Sequence, residues 1–309
     1  MTVCLIAIGL ASPPSPSDNT QEYYGTFLGS LNNATYGISG EVWLANATAI
    51  QVTNFNVDKQ QSEQEISFVF SMANSVESAR SVYKVIGSAA NGVQYSVPIK
   101  NLFDKGAHME RMVVVLSKNT IKAWSHFGIV SGKTWKYLAA VKLNKEAPKP
   151  YCCLTHPVHS NRGIIGMHYN ASTGPISIVD SKTLVLKQFS LDGTKAPDGW
   201  IFAGNGQQVQ RNTGQKAMVV GRDTPTRQCS LKKNYQGDSD LVVQLNKGQT
   251  IYNIDYLSIF CYQYDVNFGH MEIKLEPNAI SVPAYIPPIV RNGELNRADD
   301  DESNCPLYE

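Results

Sequence analysis

The chain has 309 residues, 42% of them hydrophobic and 17% charged, with a formal net charge of +1. That balance excludes a disordered polyelectrolyte, and the lack of any basic stripe excludes nucleic acid as a partner. The length suits two domains, each able to bury a core without a disulfide framework to hold it together.

The first segment, MTVCLIAIGLAS, has a short apolar stretch and small residues near Ala11, the outline of a secretion leader without its basic opening. Residues 1–21 are therefore expected to be a signal or leader followed by a flexible N-terminus. The stretch is too short to cross a bilayer, and no later run reaches the roughly 18 apolar residues a span requires, so the protein is not expected to be membrane-spanning. Sequons begin at Asn33, Asn46 and Asn170. With the leader they predict a secreted, extracellular glycoprotein.

Next comes a long-period repeat. GEVWLANATAIQVTNFNVD (40–58) lies over GPISIVDSKTLVLKQFSLD (174–192), with Gly40, Phe55 and Asp58 falling on Gly174, Phe189 and Asp192. ISFVFS (66–71) resembles GWIFAG (199–204), VIG (85–87) falls on VVG (219–221), and MVVVLSKNTI (112–121) resembles LVVQLNKGQTI (241–251). Self-similarity over such a period means two copies of one unit. Within each copy the apolar period is 2, the segments are short and β-branched, and Gly, Asn, Asp and Ser turns separate them. The expected fold is all-β: two homologous antiparallel β-sandwich or barrel-like domains in tandem, at 22–145 and 152–276. Residues 72–86 are left open to a turn of helix. Residues 146–151 are the linker, and 277–309 form a proline-rich, then acidic tail. Val282, Tyr285 and Ile286 give its first part a means of packing back, while its last part is expected to be mobile.

The chemistry-bearing residues cluster in the second copy. In LSIFCYQYDVNFGH (257–270), Leu257, Ile259 and Cys261 share one strand face, which turns polar from Gln263 onward, so Cys261 marks the end of a buried strand. Comparison with the first copy places Cys229 on Tyr95 and Cys261 on Ser131. Both thiols are missing together, which points to a Cys229–Cys261 disulfide, with a purely packing role for Cys261 as the alternative. Cys305 is expected to pair with Cys152 or Cys153, leaving one odd thiol that is free or forms an intermolecular disulfide. CCLTHPVHSNRGIIGMHY (152–169) brings His156, His159 and His168 near those cysteines, but in no standard zinc or copper spacing, so they are weak metal candidates. No nucleophile elbow, metalloprotease helix or phosphate loop is present, so no cofactor is called for. Asp192 and Asp198 sit in Asp-Gly and Pro-Asp-Gly turns. Trp200, Tyr262 and Tyr264 are either core aromatics or a glycan-stacking surface.

Two of these stretches carry a family resemblance. Phe189, Asp192, Gly193, Pro197, Asp198, Phe202 and Gly204 form one pattern, and Leu257, Ser258, Ile259, Cys261, Val266, Asn267, Phe268 and Gly269 form the other. Together, over about 159–275, they resemble the DM13 domain of Skeletor-like extracellular proteins, a module also found beside DOMON and cytochrome b561-type domains. The first copy then looks like a degenerate DM13 unit, with Ser131 in place of the cysteine and VDKQQSEQEISFVFS (57–71) in place of the Asp-Gly-Pro-Asp loop. The leader, the sequons and the lack of enzyme motifs make the leading expectation a secreted protein with a non-enzymatic, extracellular binding or matrix-associated role toward a protein or matrix partner. The family resemblance implies the alternative, a thiol/disulfide or electron-transfer component that uses Cys261 with a separate haem or copper partner.

Overall fold

A computed structural model describes residues 22–58, 66–71, 83–88, 94–96, 106–116, 120–131, 136–224, 227–287 and 305. The leader, most of 72–86 and the acidic run of the tail lie outside the described residues.

Among the described residues, the alternating apolar segments of the first half form nine strands. They are β1 (Thr26–Asn33), β2 (Ile38–Leu44), β3 (Ala49–Val57), β4 (Ile66–Ser71), β5 (Tyr83–Ser88), β6 (Gln94–Ser96), β7 (Ala107–Leu116), β8 (His126–Ser131) and β9 (Tyr137–Lys142). One sheet runs β1-β2-β3-β7-β5-β6 and a second runs β4-β8-β9, both antiparallel. Val42, Val52, Phe55, Met112 and Val114 from the first face Phe68, Phe127 and Ile129 from the second. Phe68 lies 5.5 Å from Phe55 and 5.6 Å from Phe127, so aromatic rings fill the centre of this sandwich.

The described residues of the second half form twelve shorter strands. They are β10 (Tyr151–Leu154), β11 (Ile165–Gly166), β12 (Ile176–Ile178), β13 (Thr183–Leu186), β14 (Ser190–Asp192), β15 (Gly199–Gly204), β16 (Gly214–Lys216), β17 (Met218–Val219), β18 (Asn234–Gln236), β19 (Leu241–Gln244), β20 (Tyr256–Cys261) and β21 (Val266–Glu272). One sheet runs β10-β12-β13-β19-β17 and the other β11-β21-β20-β15-β16, with β14 paired to β18. Ile176, Leu184, Leu186 and Val243 from one meet Ile201, Leu257, Ile259 and Cys261 from the other in a second core.

The all-β architecture expected from the period-2 pattern is the one found. The two halves also pair their strands alike. The run β2-β3-β7-β5 corresponds to β12-β13-β19-β17, and β4-β8-β9 corresponds to β15-β20-β21. Even an irregularity recurs: the β8/β9 ladder shifts register between Ile129 and Val130, and the β20/β21 ladder shifts between Ile259 and Phe260.

The start of the tail runs between the halves. Val282 is buried in the second core, and Ile286 packs against the cluster of Ala45, Ala49 and Val113. Backbone bonds join Ala284 N–H to Ala45 O at 2.9 Å and Ser181 N–H to Pro283 O at 2.8 Å. The Tyr252 hydroxyl donates to Ile280 O and accepts from Val282 N, and burial pushes its pKa up, so it stays protonated. Arg111 closes the junction, donating to Gln51 Oε1, to Glu22 Oε1 at 2.7 Å and to Tyr285 O at 2.7 Å.

Candidate functional site

Strands β15 and β20 place the two signature stretches side by side, with Gly199 opposite Cys261, Phe202 opposite Ser258 and Gly204 opposite Tyr256. Alternation sends Ile201, Leu257, Ile259 and Cys261 into the core between the sheets. It sends Phe202, Tyr256 and Phe260 to the other face, where Val209 and Tyr262 cover them. The Phe202 and Phe260 rings stack at 4.7 Å. Burial pushes the Tyr256 hydroxyl above its ordinary pKa, and it pairs with Thr213 Oγ1 at 2.6 Å.

The Asp-Gly-Pro-Asp loop leads into β15 as a turn. The Asp192 carbonyl accepts from the backbone N–H groups of Lys195 and Ala196, and the Asp192 carboxylate lies 3.6 Å from Lys195 Nζ. Gly193 passes so close to β18's approach that a Cβ would fall 2.1 Å from Lys233 O. After Pro197, Asp198 takes a left-handed φ of 43°, as a short polar side chain can. Its Oδ1 accepts from Trp200 Nε1 at 2.7 Å, and its carbonyl accepts from Tyr262 N. Phe189, ahead of the loop, is buried edge-to-face against Tyr235 at 4.9 Å.

The second signature stretch stitches the register shift. Asn267 Oδ1 accepts from Ser258 Oγ at 2.9 Å and from Gly269 N at 3.1 Å, while its Nδ2 donates to His270 Nδ1 at 2.9 Å. Phe268 is buried beside Tyr169. Gly269 lets β11 approach: a Cβ there would sit 2.5 Å from Gly166 Cα. Arg211 ties down the hairpin tip through Asp265 Oδ1 and Gln263 O, and its guanidinium lies over the Tyr262 ring at 5.1 Å.

Cys261 is a free thiol with 1% exposure, packed in the core. The expected Cys229–Cys261 bond is absent: Cys261 lies beside Leu257 and Ile259 on the core face of β20, and Cys229 is bonded to Cys305 instead. The buried Asp223 carboxylate organises the Cys229 loop. It accepts from Val219 N and Cys229 N and pairs with Arg222 Nε at 2.8 Å, while Arg222 also donates to Cys229 O. The expected pairing of Cys305 with Cys152 or Cys153 is likewise overturned, since Cys152 and Cys153 are bonded to each other.

The remaining candidates divide. His156 and His159 stack at 5.3 Å, but His168 lies against Phe268, and among the described residues no three metal-ligating side chains gather. Trp200 is 6% exposed under Lys216 Nζ, 3.5 Å from its ring, which removes it from any glycan-stacking surface; Tyr264 is open to solvent at the hairpin tip. Of the sequons, Asn33 caps a 3-10 turn and donates through Nδ2 to Leu138 O, and Asn170 donates to Ser190 Oγ. Asn46 uses its Oδ1 to hold Thr48. Sequence reasoning missed Arg211 and Lys216, whose partners Asp265, Gln263 and Trp200 are distant in the chain, and Asp223, whose carboxylate organises its own turn toward Cys229.

Residues 165–273 match the family model described as Electron transfer DM13. Two similar curated proteins are Drosophila melanogaster Protein Skeletor, isoforms B/C and isoforms D/E, each 24% identical over 282 residues. The alignment covers 91% of this chain but 31% of the B/C protein and 16% of the D/E protein, so the chain spans under a third of the length of these relatives. No solved structure matches.

Proposed function

We propose that the chain, whose residues 165–273 match the DM13 family model, is a secreted tandem DM13-like protein with a non-enzymatic, extracellular binding or matrix-associated role. The observation that carries this reading is that the signature side chains, Val266 excepted, are buried or partly buried and serve the fold. Cys261 is buried, Asn267 and Ser258 hold a register shift, and Asp192 and Asp198 hold turns. Such a motif specifies a scaffold and leaves recognition to its surface. Four of the five described cysteines are in disulfides, which supports an oxidising compartment outside the cytosol. The shared strand pairing and the recurrent register shift support the first half as a second copy of the same unit.

The electron-transfer reading suggested by the family description requires Cys261 to exchange electrons with an external haem or copper protein. Cys261 is buried in the core at 1% exposure, which keeps such a partner from direct contact with it. The test is expression of the chain and of Cys261→Ala in secretory cells, comparing the amounts in medium and deposited matrix and mapping the peptides without reduction. The expected outcome is disulfide-bonded protein outside the cell, a glycan on Asn46, and equal matrix retention for both. Retention in the cytosol with free thiols would remove the extracellular role. Loss of matrix retention in a folded Cys261→Ala protein, with loss of its reduction of a haem acceptor, would replace binding by electron transfer.

A further inference from the structure

Neighbouring residues on a regular strand point to opposite faces, so two adjacent cysteines are not ordinarily brought together by a β-ladder. Here the ladder is broken where they sit. Tyr151 pairs with Ile178 and Leu154 pairs with Ile176, so Cys152 and Cys153 of β10 face a single β12 residue, Ser177. Two residues against one is the arrangement of a β-bulge, a device that re-aims side chains at sheet edges. Strand β10 is such an edge.

The Ser177 hydroxyl lies 3.4 Å from Cys153 Sγ and donates toward Cys152 Sγ at 3.7 Å. Cys152 is exposed and Cys153 half-buried, whereas Cys229 and Cys261 are 3% and 1% exposed. Cys305, the partner of Cys229, is partly buried like Cys153, so Cys152 is the most exposed of the described cysteines, and a hydroxyl is already placed at the sulfur that would leave when it is attacked.

We propose that the Cys152–Cys153 disulfide is a thiol-exchange site that accepts electrons from small dithiols, with Ser177 positioned to stabilise the departing sulfur. This goes beyond the DM13 scaffold, because both cysteines lie outside residues 165–273. The thiolate of the dithiol attacks Cys152 Sγ, forming a mixed disulfide and breaking the bond to Cys153 Sγ. The bond's electron pair leaves on Cys153 as a thiolate, which accepts the Ser177 O–H and then takes a proton from solvent. The second thiol of the reductant, deprotonated to solvent, attacks its own partner sulfur and releases Cys152 as a thiolate, which is protonated in turn. The dithiol is oxidised to a cyclic disulfide, and two electrons and two protons reside on the cysteine pair.

The experiment titrates the folded, full-length protein with dithiothreitol, quenches with N-ethylmaleimide, and maps the labelled peptides. Cys152 and Cys153 are expected to gain label together while Cys229–Cys305 remains bonded and Cys261 unlabelled. In Ser177→Ala the labelling rate should fall about tenfold, the loss of one charge-assisted hydrogen bond, with the melting midpoint unchanged; Ser177→Thr should retain the rate. In denaturant the preference for one disulfide should vanish, because it comes from exposure in the fold. Opening of Cys229–Cys305 at an equal or lower dithiol concentration, or recovery of Cys152 and Cys153 as something other than a mutual disulfide, would overturn the site. An unchanged rate in Ser177→Ala would remove Ser177 from it.

Discussion

The two sandwiches pair their strands in the same order, yet differ in what holds the register-shifted hairpin and in what fills one buried position. In the C-terminal sandwich, Asn267 accepts from Ser258 and Gly269, and Cys261 ends the core strand. In the N-terminal sandwich the corresponding hairpin has Gly128 opposite Ala140, its shift is flanked by Tyr137 bonded to Ser71, and the core strand ends on Ser131. The same topology is thus stabilised by different local chemistry. The family signature is one way of building the hairpin, and its absence from the first half does not cost that half the fold.

The largest difference is covalent. Among the described residues, the C-terminal sandwich alone is tied to the tail by a disulfide, Cys229–Cys305, with a sequence separation of 76. In the chain-entropy account a loop of that length contributes about 4.5 kcal/mol. Cys305→Ser should lower the stability of the C-terminal sandwich by an amount of that order and leave strands β3 and β7 nearly unaffected. Hydrogen exchange in a urea series, read by mass spectrometry, resolves the two halves. Equal loss in both would mean that the tail junction through Arg111 and Ala284 makes them one cooperative unit.

A smaller difference lies in the hairpin. Asn267→Ala removes the acceptor for two donors, one of them the hydroxyl of fully buried Ser258, and should cost about 2–3 kcal/mol, confined to β20, β21 and β11. The corresponding Tyr137→Phe leaves ring packing in place and removes only the bond to Ser71, so about 1 kcal/mol is expected. Urea midpoints of the two variants check the ranking. If Tyr137→Phe is the more damaging, the signature asparagine is not the stitch that the geometry implies.

How much of this could be read in the chain depended on how local the cause was. Period-2 segments gave the strands, and the repeat anticipated that 66–71 and 199–204 would occupy equivalent places; they are β4 and β15, the strands beside β8 and β20. The Asp-Gly and Pro-Asp-Gly turns were legible because turn chemistry lies in adjacent residues. The disulfides were not. Joint absence from the first copy could compare only cysteines inside the repeat, and Cys305 lies outside it. The Cys152–Cys153 bond depends on a bulge against Ser177, which no property of the dipeptide announces. Strand spacing favoured core over surface for Trp200 without deciding it, because its cover is Lys216 on another strand.

An effect of similar size to the hairpin's tests a buried position at which the halves differ. Ser131 is 2% exposed, and its Oγ has no hydrogen-bond partner among the described residues, so the N-terminal sandwich carries a desolvated hydroxyl where the C-terminal one carries a thiol. A buried hydroxyl without a partner is unfavourable, whereas a free cysteine behaves as a small hydrophobe. Ser131→Cys should therefore stabilise the first sandwich, and Cys261→Ser should destabilise the second, each by about 1–2 kcal/mol. The opposite signs are the informative part, since a general effect of mutation would lower both. Thermal melts of the two variants beside the parent protein give both signs, with reductant kept out so that the disulfides stay intact. A Cys261→Ser protein as stable as the parent would mean that this end of β20 admits water, and Cys261 would then be reachable by the partners its burial now excludes.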